Sequence, residues 1–135
     1  MTAFAIPPMP ETVLVVDDDL DMCWVLEVAL AGLGCAVTTV NSARSAISSV
    51  AEHSFPIAFV DARLPDMDGL RLIEELRRLR PVMRIIMISG YYLEDDTRIS
   101  SAVRAGEIDG FLAKPFQIDA VVAAVTRKGN GECRP

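Results

Sequence analysis

The stretch Thr12–Asp19, TVLVVDDD, joins a short apolar segment directly to three acidic residues. Its first five residues, Thr12–Val16, form a continuous apolar run that is rich in β-branched side chains. Such a run is typical of a strand in a parallel sheet that helices cover on both faces. The stretch therefore predicts a buried central strand that ends in a group of carboxylates.

Four further short strand-like segments follow at intervals that suit β-α units. The segment Ala36–Val40 is more polar than the others, which favours a place near the edge of the sheet. Segments of helical period lie between the strands, and five such units predict a parallel sheet with helices on both faces. The expected strands are Thr12–Val16, Ala36–Val40, Ile57–Val60, Arg84–Ile88 and Gly110–Ala113.

The first three predicted helices carry signals at their ends or on their faces. Gly34 stands where a glycine C-cap is expected after the apolar stripe of the first helix, Met22–Leu33. Asn41 or Ser42 is expected to cap the second helix. The third helix has Leu70, Ile73 and Leu76 on its expected core face, with Glu74, Arg77 and Arg78 on the opposite face.

The last two predicted helices differ in their apolar content. The fourth, about Glu94–Ala105, is weakly apolar, whereas the fifth, about Gln117–Arg127, is apolar on nearly all sides. A helix that is apolar on nearly all sides is either deeply packed or meets a partner, so a homodimer through the fourth and fifth helices is one hypothesis. The expected main stripe of the fifth helix is Ile118, Val121, Val122 and Val125, with Ala120, Ala123 and Ala124 on the other side.

The composition limits the class of protein. Hydrophobic residues make up 51% and charged residues 24% of the 135 residues, which suits one domain with a sizeable core. A net charge of −6 disfavours direct binding of nucleic acid or of anionic membranes.

Cys23, Cys35 and Cys133 lack the spacing of a zinc site or a disulfide framework. No signal peptide or membrane span is predicted, and we expect a cytoplasmic protein.

Chemically distinctive residues stand at four of the five predicted strand ends. The first strand ends in Asp17–Asp19, the third in Asp61, the fourth in Ser89 and the fifth in Lys114. Ligands of open α/β sheets bind at this edge. Taken alone, Asp17–Asp19 are equally well explained as helix caps and first-turn acids. Together, the four ends predict a Mg²⁺ site at which a carboxylate accepts a phosphoryl group.

Four segments resemble motifs of one protein family. VLVVDDD, AFVDARLPDMDG, IIMISG and FLAKPF look, in this order, like the receiver domain of two-component response regulators, and the resemblance covers about Glu11–Lys128. It implies an α/β fold with a doubly wound, five-stranded parallel sheet of the flavodoxin-like order 2-1-3-4-5 and five helices. We accordingly expect an N-terminal extension at 1–10, a receiver domain at 11–128 and a C-terminal tail at 129–135.

The resemblance also implies a role for each residue of the predicted site. Asp61 corresponds to the phosphoacceptor, and Ser89 and Lys114 correspond to the hydroxyl and the ammonium that contact the phosphoryl group. Phe111 corresponds to the switch aromatic. The implied Mg²⁺ ligands are Asp17, Asp18, Asp61 and the backbone carbonyl of Arg63.

Two places depart from the family pattern. The segment Ala105–Phe111 is one residue longer, which affects the loop before the fifth strand and therefore the travel of Phe111. Tyr91 is bulky at a position that in the family lies by the site entrance, where it would act with Arg63 on the lifetime of the phosphoryl group.

The resemblance implies a phosphodonor, either a sensor histidine kinase or a phosphotransfer domain, and an output partner that the sequence does not identify. Trp24 is expected on the outer face of the first helix, as a docking residue for the donor or as an incidental surface residue. Little sequence follows the last predicted helix, so no DNA-binding module is expected within the chain. The protein is expected to be a phosphoaccepting switch and not an enzyme.

Two other functions remain as alternatives. A Mg²⁺-dependent phosphatase with an aspartate nucleophile needs an acid-base Asp two residues after that nucleophile, and Arg63 occupies this position after Asp61. A non-catalytic flavodoxin-like binding module is less favoured, because no glycine-rich phosphate loop follows the first strand.

Overall fold

The computed structural model describes residues 12–90 and 97–126, in which strands and helices alternate. Within these residues, five parallel strands form one sheet in which the strands, numbered along the chain, have the predicted order 2-1-3-4-5, with the polar second strand at an edge. The third and fourth strands each extend one residue beyond the prediction. The strands are β1 (Thr12–Val16), β2 (Ala36–Val40), β3 (Ile57–Asp61), β4 (Arg84–Ser89) and β5 (Gly110–Ala113).

The helices cover both faces of the sheet, as expected for right-handed crossovers. Side chains alternate along each strand, so Leu14 and Val16 face one core cluster while Val13 and Val15 face the other. The first cluster includes residues of the second, third and fourth helices, and the second cluster includes residues of the first and fifth. The helices are α1 (Leu20–Ala31), α2 (Ala43–Glu52), α3 (Gly69–Leu79), α4 (Thr97–Arg104) and α5 (Ile118–Thr126).

Two predicted helix signals are confirmed. Gly34 adopts φ +92° and donates to Ala31 O, and the amide of Cys35 donates to Leu30 O. These bonds form a Schellman motif, which a glycine in the left-handed region permits. At the start of α2, the Ser42 hydroxyl accepts a hydrogen bond from the Ser45 amide, so Ser42 is the cap.

Arg77 contradicts the prediction that it lies on the outer face of α3. Its side chain is only 19% exposed, and it forms an ion pair of 3.0 Å with Asp109. The guanidinium also donates to the carbonyls of Met83 and Glu107. Helical periodicity gives the direction of a Cβ atom, but a long side chain can turn back along the protein surface. Arg77 therefore joins α3 to the loops that precede β4 and β5.

The fifth helix also differs from its predicted orientation. Ile118 is 50% exposed, whereas Ala120 and Ala124 pack against the core cluster together with the buried Val121 and Val125. Apolar residues occupy nearly every side of this helix, so periodicity alone cannot select its buried face. The predicted start of the fourth helix and Tyr91 lie outside the described residues.

The predictions for Cys23, Cys35 and Trp24 are confirmed. Cys23 and Cys35 are buried and free, while Cys133 lies outside the described residues. Trp24 is 65% exposed on the outer face of α1. In the part of the chain that the structure describes, no helix has both the length and the apolar character needed to cross a membrane.

Candidate functional site

Three carboxylates meet at the carboxyl edge of the sheet. Strands β1 and β3 are adjacent and in register, with Val16 opposite Val60. The next residues, Asp17 and Asp61, are therefore neighbours. One carboxylate oxygen from each of Asp17, Asp18 and Asp61 lies within 4.8 Å of the other two. Asp17 and Asp61 are buried and Asp18 is exposed. The sequence-based expectation that these acids converge is confirmed.

The three acids Asp17–Asp19 have two different structural roles. Asp17 Oδ1 accepts a hydrogen bond of 3.0 Å from the amide of Asp19, which turns the chain sharply after β1. Asp19 Oδ1 in turn accepts from the amides of Asp21 and Met22 and caps α1. The cap interpretation is therefore right for Asp19, while Asp17 and Asp18 belong to the acidic cluster.

Ser89 ends β4 and Lys114 follows β5, so both residues lie at the same carboxyl edge of the sheet as the acids. Ser89 is almost fully buried at the end of β4 and pairs in register with Ala113 of β5. The backbone amide of Lys114 donates to Ser89 O at 2.7 Å. Lys114 Nζ lies 3.3 Å from Asp17 Oδ2 and 3.7 Å from Asp61 Oδ2. The parallel register thus brings a cation and a hydroxyl to the carboxylates.

The buried position of Asp61 disfavours its charged form. Desolvation, followed by the neighbouring Asp17 carboxyl, raises the pKa of Asp61 to about 6, although Lys114 opposes the shift. Three carboxylates and one ammonium leave the cluster with an excess of negative charge. Such a cluster is stabilised by protonation or by a bound cation.

The residues present fit a divalent cation. Asp17 Oδ2 is buried 3.3 Å from Lys114 Nζ but accepts no hydrogen bond, so it retains lone-pair capacity for a metal. The donor set consists of carboxylate oxygens with one exposed member, Asp18, beside an open cleft. Hard oxygen ligands with room for water are typical of Mg²⁺ sites. The acidic cluster of Asp17, Asp18 and Asp61 is therefore a candidate metal site.

The loop after β3 closes tightly on itself. The amide of Gly69 donates to Ala62 O at 2.9 Å, and Arg63 pairs with Asp68 in an antiparallel bridge. A Cβ atom at Gly69 would lie only 2.5 Å from the backbone oxygen of Asp61, so the loop requires glycine here. The amide of Arg63 donates to Asp61 Oδ1 at 3.4 Å. The carboxylate and the start of the loop are therefore held together.

An open cleft of about 510 Å³ contains most of the predicted site. Phe111 is not among its lining residues: this side chain is partly buried against the core and lines a separate cavity beside α5. Asp17 lies beneath the cleft, fully buried. The lining residues are Asp18, Asp19, Asp61, Arg63, Leu64, Pro65, Ser89, Gly90 and Lys114.

The order of the sheet and the acidic, lysine-containing cleft at its carboxyl edge define a doubly wound α/β domain with a candidate cation site. A family model described as "Response regulator receiver domain" matches residues 13–126. The chain therefore belongs to the response regulator receiver domain family. Members of this family are phosphoacceptor switches and not classical enzymes, in agreement with the expectation from the sequence.

Curated relatives and solved structures support this assignment. The chain is 37% identical over 115 residues to the DNA-binding transcriptional regulator NtrC of Salmonella typhimurium, and the match covers 85% of this chain. The chain spans 24% of the length of that relative. A CheY-like receiver domain protein of Methanospirillum hungatei has a TM-score of 0.78 and 28% identity, covering 85% of this chain and 90% of that one.

A second solved structure is similar to this chain and carries a modification. It is a response regulator of Burkholderia pseudomallei with a phosphorylated aspartic acid, a calcium ion and citrate. Its TM-score is 0.76 at 30% identity, and the match covers 85% of this chain and 66% of that one. The fold is therefore shared with a receiver that is phosphorylated on aspartate.

Proposed function

We propose that Asp61 accepts a phosphoryl group from a phosphohistidine of a sensor histidine kinase or of a phosphotransfer protein, in a Mg²⁺-dependent reaction. The observation that carries this proposal is the position of Asp61, within 4.8 Å of Asp17 and Asp18 and 3.7 Å from Lys114. A carboxylate nucleophile needs neighbours that neutralise an incoming phosphoryl group, and this cluster can supply them. We place this reaction in the cytoplasm.

In the proposed transfer, a carboxylate oxygen of Asp61 attacks phosphorus while the phosphorus–nitrogen bond to the donor histidine breaks. The products are an acyl phosphate on Asp61 and a free imidazole on the donor. Mg²⁺, when bound by Asp17, Asp18, Asp61 and the backbone carbonyl of Arg63, would neutralise charge on the phosphoryl oxygens. Lys114 Nζ, which lies 3.7 Å from Asp61 Oδ2, supplies a further positive charge.

The proposed switch begins at Ser89. Its hydroxyl moves to a phosphoryl oxygen, which opens space beside β5 for the side chain of Phe111 to turn inward. This movement shifts the population of the surface formed by α4, β5 and α5. An output partner or a second copy of the chain would bind this surface, and the homodimer remains a hypothesis for it. The partial burial of Phe111 against the core supports a role in this change.

We further propose that the donor protein docks on the outer face of α1. Leu20, Trp24 and Val28 lie one turn apart and are 73%, 65% and 51% exposed. This apolar stripe begins directly after Asp19, which lines the cleft. Exposed tryptophan is frequent among the residues that dominate binding interfaces.

The docking proposal is tested with two phosphodonors. Trp24→Ala is expected to slow transfer from a phosphorylated donor protein but to leave labelling by acetyl phosphate unchanged. Val82→Ala is the control, because Val82 is 92% exposed and lies before β4, at the amino ends of the strands and therefore away from the cleft. Equal rates of protein-to-protein transfer for wild type and Trp24→Ala would contradict the proposal.

The phosphoacceptor proposal is tested with acetyl phosphate and intact-mass measurement. Wild type is expected to gain one phosphoryl group in Mg²⁺ and none in chelator, and Asp61→Asn is expected to gain none. Incubation with a stable phosphate ester tests the phosphatase alternative, because a phosphatase would hydrolyse the ester with multiple turnover. Arg63 occupies the position of the required acid-base residue, so we expect no multiple turnover.

A further inference from the structure

A carboxylate of the β3–α3 loop caps a helix that is distant in sequence. Asp66 Oδ1 accepts a hydrogen bond of 2.9 Å from the amide of Ala43, and Oδ2 accepts one of 3.0 Å from the amide of Arg44. These are the first two residues of α2. Such amides have no acceptor within their own helix, and the helix N-terminus favours a negative group. The two bonds also lower the pKa of Asp66.

The loop that Asp66 ties to α2 also forms one wall of the candidate site. Arg63, Leu64 and Pro65 line the cleft, and Asp61 immediately precedes the loop. The bond from Gly69 to Ala62 closes the base of the loop. The Asp66 carboxylate fixes its far end to a different element, so the wall is held at both ends.

We propose that Asp66 is a positioning residue for the cation site. By bridging the first two amides of α2, it holds the β3–α3 loop in the shape that places Arg63 beside Asp61 and Asp18. Asp66 itself does not line the cleft and acts through the loop. This inference rests on the proposed function, because it concerns the affinity of the proposed Mg²⁺ site.

The test is the Mg²⁺ dissociation constant, measured by isothermal titration calorimetry on the full chain. Asp66→Ala is expected to weaken binding about tenfold, the lower range for residues that support metal ligands. Asp66→Asn keeps one acceptor oxygen and is expected to give an intermediate value. Circular dichroism establishes that each variant is folded at the assay temperature.

Two variants serve as matched controls. Asp68→Ala removes another acid of the same loop, but the side chain of Asp68 pairs with Arg98 of α4 and not with α2. Ser42→Ala removes a different cap from the start of α2 without touching the loop. Both variants are expected to keep Mg²⁺ affinity within about twofold of wild type. The exposed charge of Asp68 is screened by solvent, and both variants keep the hydrogen bonds that Asp66 accepts from the start of α2.

The outcomes separate this inference from the proposed function. Wild-type affinity in Asp66→Ala, or an equal loss in Ser42→Ala, would overturn the inference while leaving the cation site in place. Failure of the wild type to bind Mg²⁺ would overturn both. A loss confined to the Asp66 variants, with partial recovery in Asp66→Asn, would support the positioning role.

Discussion

Lys114 Nζ lies 3.3 Å from the buried carboxylate of Asp17, closer than its 3.7 Å separation from Asp61. The pair connects the end of β5 to the end of β1 across two intervening strands. Asp17 therefore holds the ammonium at the cleft before any phosphoryl group arrives. The same position lets Lys114 reach a group carried by Asp61.

Replacement of Lys114 by alanine is expected to slow the labelling of Asp61 about 100-fold, the usual effect of removing one preorganised charge donor. The measurement is the initial rate with acetyl phosphate at saturating Mg²⁺. Lys114→Arg retains the charge and is expected to retain part of the rate. Equal rates for wild type and a folded Lys114→Ala would contradict a role for this ammonium.

Asp61→Asn is expected to stabilise the metal-free protein at alkaline pH. Burial and Asp17 raise the pKa of Asp61 from 3.8 to about 6, so the folded chain binds more protons than the unfolded chain in this range. The stability contributed by the protonated group is present below pH 3.8 and is lost as the pH rises through 6. Asparagine avoids this loss, which corresponds to about 3 kcal/mol at pH 8.

The measurement is urea unfolding in chelator at pH 4 and pH 8. The gain for Asp61→Asn is expected to be large at pH 8 and small at pH 4. Asp68→Asn, an exposed acid in the following loop, is the control and is expected to show no such difference. A gain in Asp61→Asn that does not change with pH would contradict the electrostatic explanation.

Mg²⁺ is expected to raise the melting temperature of the wild type. A ligand at 100 times its dissociation constant stabilises the folded state by about 2.7 kcal/mol. Asp18→Ala removes an exposed member of the cluster and is expected to abolish the shift without unfolding the chain. Asp21→Ala, an exposed acid in the first turn of α1, is the control and is expected to keep it. A full shift in Asp18→Ala would count against the cluster as the binding site.

Two glycine-to-alanine variants test the closure of the β3–α3 loop. Gly69→Ala is expected to destabilise the fold by about 3 kcal/mol, because the new methyl group would meet the backbone of Asp61 and Ala62 at 2.5–2.8 Å. Gly32 has helical dihedrals and ordinary contacts of 3.5 Å for an added Cβ. Gly32→Ala is expected to be neutral or to stabilise by up to about 1 kcal/mol. Comparable urea midpoints for the two variants would contradict this reading of the loop.

The strand pattern predicted a parallel sheet and the meeting of Asp17, Asp18 and Asp61, while the family resemblance supplied the strand order. Continuous apolar strands imply parallel pairing, and parallel pairing places all carboxyl ends at one edge. The polar residues Asp61 and Ser89 proved to be the last residues of β3 and β4 and not the first residues of loops. This difference of one residue does not move them away from the site.

Interactions between distant segments were not predictable in the same way. Asp66 and the start of α2 are separated by more than 20 residues, and no periodicity relates them. Arg77 reaches Asp109 in the loop before β5. The carboxylate of Asp109 also accepts from the amide of Ile85, so this loop is fixed by tertiary contacts. Local sequence signals do not report such contacts.

The central claim is that Asp61 is the phosphoacceptor, and peptide mapping of the labelled protein tests it most directly. The chain is phosphorylated with acetyl phosphate and Mg²⁺, the acyl phosphate is reduced with borohydride, and the modified residue is located by mass spectrometry. We predict modification at Asp61 in wild type and in the control Asp21→Asn, and none in Asp61→Asn. Modification at another residue in wild type, or undiminished labelling of Asp61→Asn, would contradict the account.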